Sequence, residues 1–195
     1  AIEAYMDEQL KKEKQQLEPY FEAINLGIDR TVNIVRSLGR YSRGANLPKT
    51  KVNINEVVDD CLTMLYNQYK NRIKVHKDYG TNLPVFRANE GQIHQVLLNI
   101  LLNAVHAIEG EGNIHIITQI KNNHIEIYVK DDGKGINKYD LKHIFDPFFT
   151  TKDPGKGTGL GLSISQRIVH EHAGSIFCNS EINKGTMFVI SLPLK

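Results

Sequence analysis

Cysteine is scarce in this chain and long apolar runs are missing. Its 195 residues hold two Cys, Cys61 and Cys178, without metal-type spacing. That removes a disulfide-stapled scaffold and leaves two core thiols in a reducing, cytoplasmic setting. No stretch reaches transmembrane length, and no signal-peptide pattern opens the sequence. An excess of one charge is missing too. The net charge of +2 argues against strong attraction to nucleic acid or to a membrane surface. Internal repeats and low-complexity tracts are absent. What remains is ordinary globular composition, 41% apolar and 24% charged, in a length that fits one full domain and a smaller second element.

Residues 1 to about 43 read as helix. Pro19 interrupts the pattern and suits the first turn of a new helix, so a short helix ends near Leu17 and a longer one runs from 19 to about 43. Ile24, Ile28, Thr31, Val35 and Leu38 recur at spacings of 4, 3, 4 and 3, a heptad seam. So narrow a seam cannot bury itself alone, which points to a bundle between chains. "RGANLPKT" (43–50) reads as a linker. Beyond it the pattern changes. A short strand precedes a helix from about Asn55, and "IKVHKDY" and "PVFRAN" read as strands. Residues 90–108 form a long helix. "NIHIITQI" and "HIEIYVKD" alternate cleanly around a "KNNH" turn. Residues 139–145 read as a short helix and 158–172 as a longer one stopped by Gly174, before a last hairpin. The expected fold class is α+β, a two-layer sandwich with helices on one face of a mixed sheet.

Three segments carry chemistry. In "EGQIHQVLLNILLNAVHAI" one face is apolar. The opposite stripe is Gln92, Gln95, Asn99, Asn103 and His106, with no Lys or Arg. Asn is a poor helix former, so a stripe of amides is either a buried polar seam or a cavity wall where an amide oxygen meets a metal or phosphate. In "VKDDGKGI" (129–136) a strand ends at Asp131 or Asp132, and Gly133 and Gly135 permit close backbone approach. In "DPFFTTKDPGKGTGLGLS" (146–163) glycines fall at 155, 157, 159 and 161. That order is neither a P-loop nor a dinucleotide fingerprint. It opens a helix, and Lys152 and Lys156 stand beside the free N–H groups, a setting for polyphosphate capture.

In this order the segments resemble the ATP-binding domain of bacterial sensor histidine kinases, within the GHKL (Bergerat-fold) ATPase superfamily. "QVLLNILLNAVHAI" resembles the N box, "DDGKGI" the G1 box, "IFDPFFTTK" the F box, "GTGLGLS" the G2 box and "GTMF" (185–188) the G3 box, covering about 51–195. "GIDRTVNIVRSLGRYSR" (27–43) resembles the second helix of the dimerisation and phosphotransfer bundle. The resemblance implies domains at 1–43 and 51–195 with a linker at 44–50. It also implies that Asn103 binds Mg2+ bridging the phosphates of ATP, with Asn99 on the same face. Asp131 resembles the acceptor of the adenine amino group, and Thr186 helps to hold the ring. Gly133, Gly135 and Ile136 belong to the segment against which the base rests. Phe145, Phe148, Phe149 and Thr150 belong to the anchor of a lid over the phosphates. Gly157, Thr158, Gly159, Leu160 and Gly161 present the helix start to those phosphates. The lid stretch 153–157 is expected to be mobile without nucleotide.

Two departures accompany the resemblance. The family's Lys or Arg three residues after the Mg2+ Asn is His106 here, and Lys152 or Lys156 is the substitute. The eight His all lie at position 76 or later, so residues 1–75 hold no phosphoacceptor. The accepting His is expected upstream of Ala1. The implied activity is ATP-dependent phosphorylation of a His and onward transfer to an Asp of a response regulator receiver domain. A homodimer through the N-terminal helices is implied, and membrane anchoring of the longer protein is left open. The rivals are an ATP-hydrolysing GHKL machine and a non-catalytic nucleotide-binding scaffold. The hydrolases have a Glu where this chain has Asn99, and an amide cannot take a proton.

Overall fold

The computed structural model describes residues 49–153 and 157–194, together with isolated positions 17, 20, 21, 24 and 27. The chain divides into two compact units, Ala1–Ser42 with Thr150–Thr158, and Arg43–Phe149 with Gly159–Lys195. In the first, Leu17, Tyr20, Phe21 and Ile24 are helical and all more than half exposed. Their spacing puts four large apolar side chains on one helix face. The break expected at Pro19, the rest of the heptad seam and the linker up to residue 48 lie outside the described residues.

Asparagine starts both long helices of the second unit. The Asn53 side chain accepts the Asn55 N–H at 3.1 Å and donates to Glu56 at 2.8 Å, capping α1 (Ile54–Tyr69). The Asn89 side chain accepts the Gln92 N–H at 3.2 Å and caps α2 (Glu90–Ala107). Strand β1 (Thr50–Val52) pairs with β3 (Phe86–Ala88) in a small antiparallel sheet of its own. The main sheet takes β2 (Ile73–Tyr79), β4 (Gly112–Lys121), β5 (His124–Asp131), β6 (Ser175–Glu181) and β7 (Gly185–Pro193) in the order β2-β4-β5-β7-β6. Only β2 and β4 run parallel. Asn122 and Asn123, with φ of 50° and 62°, turn the tight β4–β5 hairpin in the left-handed region that Asn tolerates.

Alternation decides which face is covered. Ile114, Ile116, Ile125, Ile127, Val129, Phe188, Ile190 and Leu192 point to one side and are almost fully buried. There they meet α2, whose Ile93, Val96, Leu97, Ile100, Leu101 and Ala104 form the predicted apolar face. Truncating a residue such as Leu97 to Ala costs about 2–5 kcal/mol. Helix α1 flanks α2 on one side and α3 (Gly161–Glu171) on the other. The opposite face of the sheet carries the register row Ile117, Tyr128, Val189 and Phe177, of which Ile117 and Phe177 are exposed. Helices on one face of a mixed sheet is the architecture expected.

Three local expectations change. The helix predicted for 139–145 is only a single 3-10 turn, Asp140–Lys142, started by the Asn137 side chain accepting the Asp140 N–H at 2.8 Å. So short a segment, followed by Pro147, lacks the residues to propagate a helix. The helix predicted from Thr158 begins at Gly161, because Gly159 has φ +67° and cannot continue a right-handed turn. The residue that ends it in the left-handed conformation is Ala173 (φ 56°) rather than Gly174, whose N–H reaches the Val169 carbonyl at 2.9 Å.

Candidate functional site

The amide stripe of α2 faces α3. The Asn99 side-chain N–H2 donates to the Gly161 carbonyl at 2.9 Å and to Ser165 Oγ at 3.1 Å, and Ser165 Oγ donates to the same carbonyl at 2.8 Å. Asn99 thereby pins the first turn of α3. At the far end His172 does the same for the helix C-terminus. Its Nε2 accepts the Asn89 N–H at 3.1 Å and its Nδ1–H donates to the Ile168 carbonyl at 2.8 Å, which fixes the neutral tautomer. The two helices are antiparallel and tied at both ends. Asn103 lies one turn beyond Asn99, half-buried, and His106 is exposed.

No side chain caps α3, and no acid lies in its first turn. Its opening N–H groups and the positive end of its dipole are a setting for an anion. The approach is fixed by backbone. The Phe148 N–H donates to the Gly159 carbonyl at 2.9 Å, and a Cβ on Gly159 would lie 2.3 Å from the Phe148 carbonyl carbon. Phe145 and Phe149 pack against the core, but the Phe148 ring is 67% exposed. Phe148 holds this junction through its backbone at φ +68°. Leu160 is buried beside it. In the other unit, Thr150 Oγ1 accepts the Lys152 N–H at 3.2 Å, and a Cβ on Gly157 would come within 2.7 Å of that oxygen. Thr158 is half-buried there, and Lys156 lies outside the described residues.

Asp131 ends β5 opposite Thr186 of β7 and is 3% exposed. Its Oδ1 accepts the Gly133 N–H at 2.9 Å and the Thr186 N–H at 3.3 Å. Burial pushes the carboxyl up to about 6, against the pull of those two donors. The carboxylate is therefore still ionised at neutral pH. Neighbouring Cys178 is an inert thiol, pushed up to about 12 by burial and by the Asp131 charge.

The glycines beside Asp131 make room for protein. A Cβ on Gly133 would sit 2.4 Å from the Ala107 carbonyl oxygen, and one on Gly135 would sit 2.1 Å from that of Glu181. The loop is laced between the end of α2 and the last hairpin, with the Lys134 N–H on the Ala107 carbonyl at 2.9 Å and the Asn183 N–H on the Lys134 carbonyl at 2.9 Å. Ile136 closes it, its N–H donating to Ser180 Oγ at 2.8 Å.

Three supporting residues carry no motif signal. Ser180 joins the loop to β7, and His172 locks α3 to α2. Arg72 places its fork on the Val105 and Ile108 carbonyls at 2.8 and 2.7 Å, satisfying the end of α2. An open groove lined by Asp59, Leu62, Tyr66, Val75 and Lys77 lies between α1 and β2 and includes none of the motif residues.

A layer of helices on a mixed sheet, with an amide-bearing helix and a buried carboxylate at a strand end, defines an ATP-binding domain of the GHKL fold. The chain belongs to the family of histidine kinase-, DNA gyrase B-, and HSP90-like ATPases, whose model matches residues 88–195. It is 32% identical over 178 residues to sporulation kinase E of Bacillus subtilis (strain 168), an alignment covering 90% of this chain and 24% of that protein. It is 36% identical over 177 residues to the signal transduction histidine-protein kinase AtoS of Escherichia coli (strain K12), covering 90% and 29%. The chain thus spans about a quarter of the length of these curated relatives. Among solved structures it is similar to the catalytic domain of histidine kinase ThkA, with TM-score 0.69, 29% identity and 76% and 97% of the two chains covered. It also matches ThkA in complex with response regulator protein TrrA, with TM-score 0.74, 26% identity and 100% and 57% covered.

Proposed function

We propose that this chain is the ATP-binding, catalytic portion of a two-component sensor histidine kinase. It would bind Mg-ATP and pass the γ-phosphoryl group to a His, from which an Asp of a response regulator receives it. The observation that carries the reading is Asp131, a carboxylate kept in a site where burial opposes its charge. Its Oδ1 takes both backbone donors, which leaves Oδ2 with no protein donor among the described residues. That oxygen is not sealed off from its surroundings, so a ligand donor can reach it, and a purine amino group supplies one.

The remaining residues fit the same ligand. Asn103 carries a neutral amide oxygen near the C-terminal end of α2, the kind of single ligand Mg2+ accepts when phosphates and waters supply the rest. The metal, when bound, neutralises phosphate charge during transfer. The start of α3, which no side chain caps, would turn backbone N–H groups and the positive end of the helix dipole toward those phosphates. Thr150, Lys152, Lys156, Gly157 and Thr158 form the lid in this reading, with the two lysines replacing the cation absent at His106. An imidazole acceptor is itself a competent nucleophile, so the site needs no strong base. Asn99 supports that assignment, since its amide is engaged in holding α3 and cannot activate water. Residues 1–43 serve as bundle helices, 44–50 as linker and 51–195 as catalytic domain. The exposed face of Leu17, Tyr20, Phe21 and Ile24 supports pairing with a second copy.

The test is incubation with γ-labelled ATP, Mg2+ and an added acceptor-helix domain carrying a His. Acid-labile label on the acceptor, then on a receiver domain, is expected. Release of inorganic phosphate with no labelled acceptor contradicts the kinase reading.

A further inference from the structure

Ser180 lies outside every motif segment, yet its hydroxyl touches two of them. Ser180 Oγ is 2.8 Å from the Ile136 nitrogen, 2.9 Å from the Gly185 carbonyl and 2.9 Å from Thr186 Oγ1. A hydroxyl has one hydrogen. The Ile136 N–H can only donate and the Gly185 carbonyl can only accept. The Ser180 hydrogen therefore goes to Gly185, and the Thr186 hydroxyl must spend its own hydrogen on Ser180. Only lone pairs remain on Thr186 for a ligand. Thr186 is the cross-strand partner of Asp131, on the same buried face. The ionised Asp131 carboxylate also only accepts.

We infer that Ser180 is a positioning residue that sets nucleotide specificity through Thr186. It makes the wall beside Asp131 acceptor-only, which favours a purine edge offering N–H donors at the 6-position over one offering a keto oxygen. This rests on the reading of Asp131 as the base acceptor. Without Ser180 the Thr186 hydroxyl is free to turn and donate, and a keto purine then meets a partner.

The experiment is equilibrium binding of ADP and inosine diphosphate to the wild type, Ser180→Ala, Ser180→Thr and Thr186→Val, with and without Ser180→Ala. The wild type is expected to prefer ADP. Ser180→Ala should narrow that preference by roughly fivefold, the worth of one net hydrogen bond, and Ser180→Thr should restore it. In the Thr186→Val background, Ser180→Ala should leave the ratio unmoved. If Ser180→Ala weakens both nucleotides equally, Ser180 is merely structural and the inference is overturned. If Ser180→Ala does not fold, Thr186→Val decides, since an unaltered ratio there also overturns the inference. A wild type that binds neither nucleotide sinks the ATP reading itself, whereas wild-type ADP binding with an unmoved ratio sinks only the role of Ser180.

Discussion

At the end of β5 a carboxylate is buried to 3% exposure, with one oxygen held by two backbone N–H groups. At the start of α3 no side chain caps the helix and no acid lies in its first turn. The first region spends stability on one charge in one place, which suits recognition of a flat base with a fixed donor. The second has no capping side chain and is supported from behind by Asn99 and by the Phe148–Gly159 junction. That suits a polyphosphate whose geometry changes during transfer. Substitutions should therefore act differently at the two ends. At Asp131 they should trade stability against binding, whereas at α3 they should lower both together.

The largest expected effect is at Asp131. Asp131→Asn should weaken ATP binding by about a hundredfold, in line with loss of a charged hydrogen-bond acceptor. The same substitution should raise the melting temperature of the nucleotide-free protein, because it removes a buried charge worth about 1–3 kcal/mol. Titration calorimetry and thermal melts read the two, and a fall in both would break the contrast. Next comes pH. Asp131 holds its proton to about 6 in the fold, against roughly 4 in an unfolded chain. The unfolded chain therefore gives up this proton first, and stability falls as pH rises between those values. Since the ionised form is the acceptor, ATP affinity should fall as pH drops through 6, and the Asn variant should show no such dependence. Asn99→Ala should cost about 1 kcal/mol of stability and weaken ATP several-fold, both readouts moving down together. The smallest effect is Ala173→Gly, which relieves a left-handed alanine behind α3 and should add about 0.5–1 kcal/mol with ATP affinity unchanged.

Much of this was legible in the sequence because it rests on periodicity. The apolar face of α2 and the alternation of β4 and β5 dictate the layers, and the NN turn sets their hairpin. Amides where a solvated helix would carry charge marked the stripe of α2 that meets α3. The missing parts are long-range. Nothing near Gly133 or Gly135 says that the Ala107 and Glu181 carbonyls press against them. Ser180 and Arg72 act through partners distant in the chain, so no local pattern announces them. Helix ends failed for a related reason. Gly174 looked like the cap, yet the left-handed turn falls on Ala173. The start of α3 moved to Gly161 because the Phe148 junction, closed across the loop, sets the backbone of Gly159.

The most direct measurement is the titration of the Asp131 carboxyl carbon by NMR, with and without ATP. In the nucleotide-free protein it should titrate at about 6. With ATP bound it should shift downward, because a donor from the base stabilises the ionised form. A carboxyl that titrates in the ordinary range and ignores ATP would contradict the assignment of Asp131 as the base acceptor.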